Sequence, residues 1–333
     1  MTKSKAFVVG GGGETGRAIV EALLQDAHFS PASSIADQMK EVTCSVRSPA
    51  AAHSALRTFR QQHGLKIVTA NPLNDSVEYL ASLLQGFDVV IVAVNAFSLS
   101  VQIPLIDASV KAGVKRFVPT NWGTPCPRGG IMDMRDEKEE IHDHIFRHRL
   151  GFTIIDVGSW YQVSFPRVPS GRLDYAAFDP SNEIYGDGET PNMLIDERDV
   201  GRITAQIIKD PRTLNKRVYC YGQILSQKEV GTIIRQKTGE ELDLESVSAA
   251  DIYDRIATAR KAYAAEPQDW MKQVQLCQAL YLPSKYLRGD NTPECSEYLG
   301  YISAHDLYPD FQYKAFEDFV DELLQGSVKK PYT

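Results

Sequence analysis

The sequence predicts an α/β fold: a doubly wound parallel sheet with a smaller, mainly helical domain attached. Three observations carry that reading. Short apolar runs alternate with amphipathic stretches through the first half, the pattern of repeated strand–helix units whose sheet is covered on both faces. A glycine run, "VVGGGGETGRAIV", separates the first apolar run from the first amphipathic one. After Gly158 this rhythm gives way to Pro, Gly and polar turns, and then to helix-like segments.

Six strands are expected in order: Ala6 to Val9, Val42 to Val46, Lys66 to Thr69, Asp88 to Ala93, Arg116 to Pro119 and Thr153 to Asp156. Each is a short apolar run bounded by turn residues. The segments between them, Thr15 to Leu24, Ala50 to His63, Ser76 to Leu83, Val101 to Ala112 and Met134 to Arg149, carry apolar residues at helical spacing. Residues 26–40 read as a surface insertion before the second strand. Residues 1–158 form the expected nucleotide-binding domain, with a segment near 196–222 returning to it. Residues 159–333 form the smaller domain, with a helix from Asp199, a strand at "RVYCYG", a helix from Ser226 and helices across Ala250 to Leu280.

The bulk composition narrows the function. The chain has 333 residues, 43% hydrophobic and 24% charged, with a net charge of -7 and no basic block, so direct nucleic-acid binding is not expected. No stretch reaches the roughly 18 apolar residues of a membrane span, and no signal-peptide pattern precedes Phe7, so a cytoplasmic location is expected. Five scattered cysteines, with no Cys-x-x-Cys pair, argue against a disulfide framework or a zinc knuckle. Oligomeric state is not legible, a homodimer being one option.

Gly11-x-Gly13-x-x-Gly16 fits the dinucleotide fingerprint, and Gly10-x-x-Gly13-x-x-Gly16 fits a variant of it. The context matters more than the match. A strand ends at Val9 and a helix begins near Thr15, so backbone amides, those of Glu14 and Thr15 included, point where a pyrophosphate would sit. Arg17 and Ala18 stand where a P-loop needs Lys and Ser or Thr, which disfavours an NTPase. A turn that holds no ligand is the competing reading. After the second strand, "CSVRSPAA" places Arg47 where NAD-selective sites carry an acid, and a guanidinium suits a 2'-phosphate. NADP(H) is therefore the expected cofactor, with Asp37 and a solvated Arg47 as the competing readings.

The segments "VVGGGGETG", "VRSP", "DVVIVAV", "QIPLIDASVKAGVKRFVPTNWG", "EKEEI" and "FTIIDVG" occur in an order that resembles the NmrA-like and isoflavone-reductase-like branch of the atypical short-chain dehydrogenases. The likeness runs from about Ala6 to Gly239, and Thr120, Asn121 and Trp122 depart from the family's Ser-Glu-Phe. The resemblance implies an NAD(P)-binding Rossmann domain and a single catalytic lysine, without a Tyr-x-x-x-Lys pair. Lys138 matches that lysine. Helical spacing puts it on one face with Ile141 and Ile145, where partial desolvation would ease proton transfer near neutral pH. A solvated lysine among Glu137, Glu139 and Glu140 is the competing reading. The resemblance further implies that Val94, Asn95, Gln102, Thr120, Asn121 and Gly158 line the cofactor, and that Trp122, Trp160 and Tyr161 shape a pocket for an aromatic or polyketide-like substrate. Interdomain packing would equally explain Trp160 and Tyr161.

Other patterns carry less. Tyr281-x-x-x-Lys285 contains Pro283, which opposes the helical turn the pair would need. His144 and His148 are four apart, with His142 nearby, but no third metal ligand is evident and no metal is expected. His142 lies one turn beyond Lys138 and could assist proton transfer. Asp187, Asp196 and Asp199 read as turn and cap residues. Three functions follow: an NADPH-dependent reductase of a small metabolite in secondary metabolism, a non-redox isomerase or cyclase in the same pocket, and an NmrA-type sensor that binds NAD(P) and another protein. Lys138 favours an enzyme.

Overall fold

The computed structural model describes residues 4–29, 42–46, 54–178 and 181–331. Strands and helices alternate in the first half: β1 (Ala6–Val9), α1 (Glu14–Gln25), β2 (Val42–Val46), α2 (Ser54–His63), β3 (Lys66–Thr69), α3 (Val77–Leu84), β4 (Val89–Val92), α4 (Gln102–Ala112), β5 (Arg116–Val118), α5 (Asp133–Arg147) and β6 (Thr153–Val157). The first five strands form one parallel sheet in the order β3-β2-β1-β4-β5. The order reverses between β1 and β4, the place where open α/β sheets leave a crevice at their carboxyl ends.

Alternation along β1 sorts the two layers. Ala6 and Val8 face a core with Ile19 and Leu23 of α1, whereas Phe7 and Val9 face a core with Leu80 of α3, Leu105 of α4, and Ile141 and Ile145 of α5. Both faces of the sheet are therefore covered, as a run of consecutive apolar residues requires.

Downstream of β6 come β7 (Ser159–Trp160), β8 (Glu183–Tyr185), β9 (Asn192–Ile195), α6 (Glu197–Lys209), β10 (Lys216–Cys220), β11 (Gln223–Leu225), α7 (Gln227–Thr238), β12 (Glu245–Val247), α8 (Ala249–Ala265), α9 (Trp270–Leu282), α10 (Pro293–Tyr298), β13 (Ile302–Ser303), α11 (Ala304–Leu307) and α12 (Phe316–Leu324). Beside β5 an isolated Phe117–Phe152 bridge forms just before β6, and β6 pairs along its length with β10, which pairs with β13, all parallel. Helix α6 lies against α1 at a glycine contact: a Cβ on Gly201 would meet the Ala18 carbonyl at 2.1 Å.

Helix α6 starts at Glu197, two residues before the expected start, because Asp196 caps it by accepting from the Arg198 amide. Ser226 caps α7 in a reciprocal box with Glu229. Helices α8 and α9 form a hairpin whose Leu276 and Leu280 pack with Cys126 and Met132, the latter at the start of α5. No helix among the described residues is long and apolar enough to cross a membrane.

Candidate active site

The turn from β1 into α1 explains its glycines one by one. Gly10 has φ +83°, and a Cβ there would meet the Ala93 carbonyl at 2.4 Å. On Gly16 a Cβ would lie 2.1 Å from the Gly10 carbonyl, and on Gly11 2.5 Å from Cys44 Sγ. These three positions are glycine because the turn packs against β2, the end of β4 and α1. Gly13 is different: it is exposed, it caps α1 with no side-chain hydrogen bond, and its Cβ would make only an ordinary 3.5 Å contact. The first amides of α1 lack a side-chain cap, and the Glu14 carboxylate turns to Arg17 at 2.8 Å, so the helix N-terminus fits an anionic pyrophosphate. Thr15 is buried beside it. Arg47 lies outside the described residues.

Across the crevice, the segment after β5 is locked residue by residue. Gln102, fully buried at the start of α4, accepts from the Thr120 amide at 2.7 Å, and its own Nε2 has no partner among the described residues. A buried amide donor without a partner fits a polar ligand group such as a cofactor carboxamide or ribose. Thr120 Oγ1 donates to the Val92 carbonyl and accepts from the Val94 amide. Asn121 is bound on three sides: its Nδ2 donates to Asp156 at 2.6 Å, its Oδ1 stands 2.9 Å from His142 Nε2, and its backbone carbonyl accepts from Lys138 Nζ at 2.5 Å.

Lys138 is buried on the inner face of α5 with Arg135, Ile141, His142 and Ile145. Burial, reinforced by the neighbouring Arg135 guanidinium, pulls its pKa down to about 8 against the opposing pull of Asp156, Cys277 and Glu139. That value suits a group that exchanges protons near neutral pH. Arg135 is itself held by Asp156 at 3.0 Å and by the Thr124 carbonyl at 2.7 Å. Asp156 also accepts from the Tyr301 hydroxyl at 2.5 Å. Burial raises Glu139's affinity for a proton, but bonds from Arg217, at 2.6 and 2.8 Å, and from His142 outweigh it and leave Glu139 well below the carboxylate range. Burial likewise lowers His142, against the pull of Glu139. Since Asp156 takes the Asn121 amide donor, Asn121 Oδ1 accepts from His142 Nε2–H; His142 Nδ1 stands 3.2 Å from Glu139, and both contacts are hydrogen bonds only when the imidazole is protonated.

Several expected site residues are committed to packing. Tyr161 is fully buried, its ring against Phe316 and Phe319 and its hydroxyl on the Lys314 carbonyl, so the expectation that it lines the substrate pocket is corrected. Trp122 donates its indole N–H to the Val92 carbonyl at 2.8 Å and lies in the sheet core, at φ +35°. Trp160 is half-buried against the same core. A Cβ on Gly158 would meet the Met193 carbonyl at 2.6 Å, which accounts for the glycine by strand packing. Exposed Asn95 uses its side chain on its own turn, accepting from the Phe97 amide.

Among the remaining patterns, Lys285 lies over the Tyr286 ring. Asp187 closes a turn and Asp196 caps α6, whereas Asp199 is no cap: it binds Arg202 and the Lys314 amide. His144 and His148 meet a third side chain that the sequence did not point to, Asp107 of α4. Sequence reasoning also missed Arg135, Asp156, Arg217, Tyr301 and Cys277 as surroundings of Lys138 and its network. The spacing of Arg135, Lys138 and His142 on one helical face was an available signal. The others come from distant elements, and no local pattern marks them.

Three comparisons place these features among known proteins. A family model described as the NmrA-like family matches residues 2–320. Asnovolin J 5',6'-dehydrogenase of Aspergillus novofumigatus is 37% identical over 322 residues, covering 96% of this chain and 95% of that protein. Pinoresinol reductase 2 of Arabidopsis thaliana is 29% identical, covering 96% of each. Among solved structures, the binary complex of leucoanthocyanidin reductase and NADPH from Vitis vinifera superposes with a TM-score of 0.78 at 21% identity, covering 96% of this chain and 99% of that one, a likeness of fold. The structure of AtPrR2 with NADP+ and (+)pinoresinol superposes with a TM-score of 0.74 at 26% identity, with the same coverage.

Proposed function

The chain belongs to the NmrA-like family, and on that premise we propose that it is an NADP(H)-dependent oxidoreductase that moves a hydride to or from a conjugated double bond or carbonyl of an aromatic or polyketide-like metabolite. It is an enzyme, and NADP(H) is its cofactor, as in its relatives. The substrate class rests on the names of those relatives, which act on phenolic or fungal secondary metabolites. Reductase and dehydrogenase names both occur among them, and one hydride-transfer site serves both directions.

The observation that carries the reading is Lys138, desolvated, aligned by Asn121 and drawn down to about 8. A protein that only sensed the nucleotide would gain nothing from an ammonium kept out of water. The bound cofactor supplies or accepts hydride at its nicotinamide ring. The chain's own residues do the rest. The α1 N-terminus and Gly13 take the pyrophosphate, Gln102 offers its unpartnered Nε2 to a polar group of the ligand, and Lys138 holds the proton that balances the hydride.

The test follows NADPH consumption with enones, isoflavonoid-like phenols and quinones, and NADP+ reduction with their saturated counterparts, in the wild type and Lys138→Ala. Turnover that the substitution abolishes supports the reading. Tight NADPH binding without turnover of any substrate, alongside a co-purifying protein partner, would favour the sensor instead.

A further inference from the structure

We propose that Asp107, His144 and His148 form a surface site for a zinc-like dication that ties α4 to the end of α5. The two histidines are four residues apart, and His148, which caps α5, keeps helical backbone angles of φ -83° and ψ -5°, so both side chains leave the helix on one face. Their ring centroids are 4.6 Å apart. Asp107 reaches them from α4: its Oδ1 stands 2.8 Å from His144 Nε2 and 3.4 Å from His148 Nε2. One donor atom from each of the three lies within 4.8 Å of the others. Two nitrogens and one oxygen from two helices therefore converge on a single spot.

The spacing suits an ion. Donors about 2.0–2.2 Å from a shared tetrahedral ion stand roughly 3.3–3.6 Å from one another. The 3.4 Å between His148 and Asp107 already has that value and is long for a hydrogen bond. His144 sits closer because its Nε2–H donates to Asp107, the tautomer favoured by the exposed Arg147 guanidinium 3.4 Å from Nδ1. An ion takes the place of that proton, which moves to Nδ1 as Arg147 turns to water, and the pair opens by about 0.5 Å. The three side chains keep 17%, 39% and 35% of their surface exposed, in the order His144, His148 and Asp107, so the ion can enter and a water can fill a fourth position.

The neighbouring charges leave the carboxylate to the imidazoles. Lys111, one turn after Asp107 on α4, pairs with Glu78 at 2.7 Å, and Lys115 pairs with Asp88 at 2.7 Å. The cluster also adjoins the last turn of α5, where the helix dipole favours positive charge. Two imidazole nitrogens and one carboxylate oxygen suit Zn²⁺ and its neighbours in the first transition row, whereas Mg²⁺ and Ca²⁺ prefer oxygen donors alone. Lys138, Asn121 and Asp156 form a separate network, so the ion holds two helices together and stands outside hydride transfer.

Calorimetric titration of the full chain with Zn²⁺, after dialysis against a chelator, should show saturable one-to-one binding, weakened at least about tenfold by Asp107→Asn and lost in His144→Ala/His148→Ala. Zinc should raise the melting midpoint of the wild type and leave that of the double variant unchanged, because a ligand stabilises only the fold that binds it. One equivalent of Co²⁺ should give the visible bands of a nitrogen and oxygen site without a thiolate-to-metal band, which separates this cluster from the five cysteines. No saturable binding, equal zinc affinity in the wild type and the double variant, a thiolate band, or displacement of zinc by excess Mg²⁺ would each overturn the proposal. Circular dichroism checks the fold of each variant. If the double variant unfolds, His148→Ala, which removes the most exposed of the three ligands, carries the same comparison.

Discussion

The Lys138 ammonium donates to the backbone carbonyl of Asn121 at 2.5 Å, and so the orientation of the lysine depends on everything that fixes Asn121. The Asn121 side chain is clamped between Asp156 and His142, and Asp156 is anchored by Arg135 and Tyr301. The lysine is positioned by a backbone atom inside a buried polar network, a firmer support than a flexible side chain would give.

Replacing Lys138 with Met should lower turnover about 10²- to 10⁴-fold, the range for loss of an acid–base group, while NADPH binding changes little. Steady-state rates alongside a fluorescence titration of NADPH separate the two. A parallel loss of NADPH affinity would assign the lysine to binding instead.

The same substitution should stabilise the fold at neutral pH. With its pKa drawn down from 10.5 to about 8, Lys138 binds fewer protons folded than unfolded between those values, so its charged form costs about 3 kcal/mol at pH 7. The cost diminishes as pH rises from about 8 towards 10.5, because the folded protein has already shed the proton. Urea unfolding should show Lys138→Met more stable at pH 7, with a gap that narrows steadily at alkaline pH. A gap that widens would contradict the burial effect.

Asn121→Asp keeps an oxygen for His142 but replaces the donor to Asp156 with a second carboxylate at 2.6 Å. The loss should be roughly 3 kcal/mol at pH 7. One of the two carboxyls would have its pKa raised in the folded state, so stability should recover as pH falls below that value and decline as pH rises through it. Denaturation midpoints across the acid-to-neutral range read this directly.

Alanine substitutions divide the glycine loop by role. Gly16→Ala drives a Cβ into the Gly10 carbonyl and should cost roughly 3 kcal/mol or more. Gly13→Ala meets no close neighbour and should stay within about 1 kcal/mol of wild type. Its penalty should appear in NADPH binding, about tenfold or more, because the added methyl faces the place of the pyrophosphate. Thermal melts with and without NADPH distinguish the two cases, and unchanged binding in Gly13→Ala would remove the loop's assigned ligand.

Much of this was legible in the chain. The strands from Ala6 to Thr153 follow from apolar runs with turn residues between them, and β1, β2 and β3 have the bounds the pattern predicts, since each is a short run closed by turn residues. Lys138 was legible because its helix carries apolar residues three and seven positions later. Tyr161 was misread because an aromatic after a strand looks the same whether it faces a ligand or the side chains of another element.

By itself, then, the sequence determined the doubly wound sheet, the glycine turn and the inward face on which Lys138 lies, because periodicity and backbone conformation are local and each residue carries its own evidence. Only the tertiary structure decided what surrounds that lysine. Asp156, Arg217 and Tyr301 come from separate parts of the chain, and the pairing of charges and hydroxyls across a buried site depends on distances that spacing along the chain does not encode.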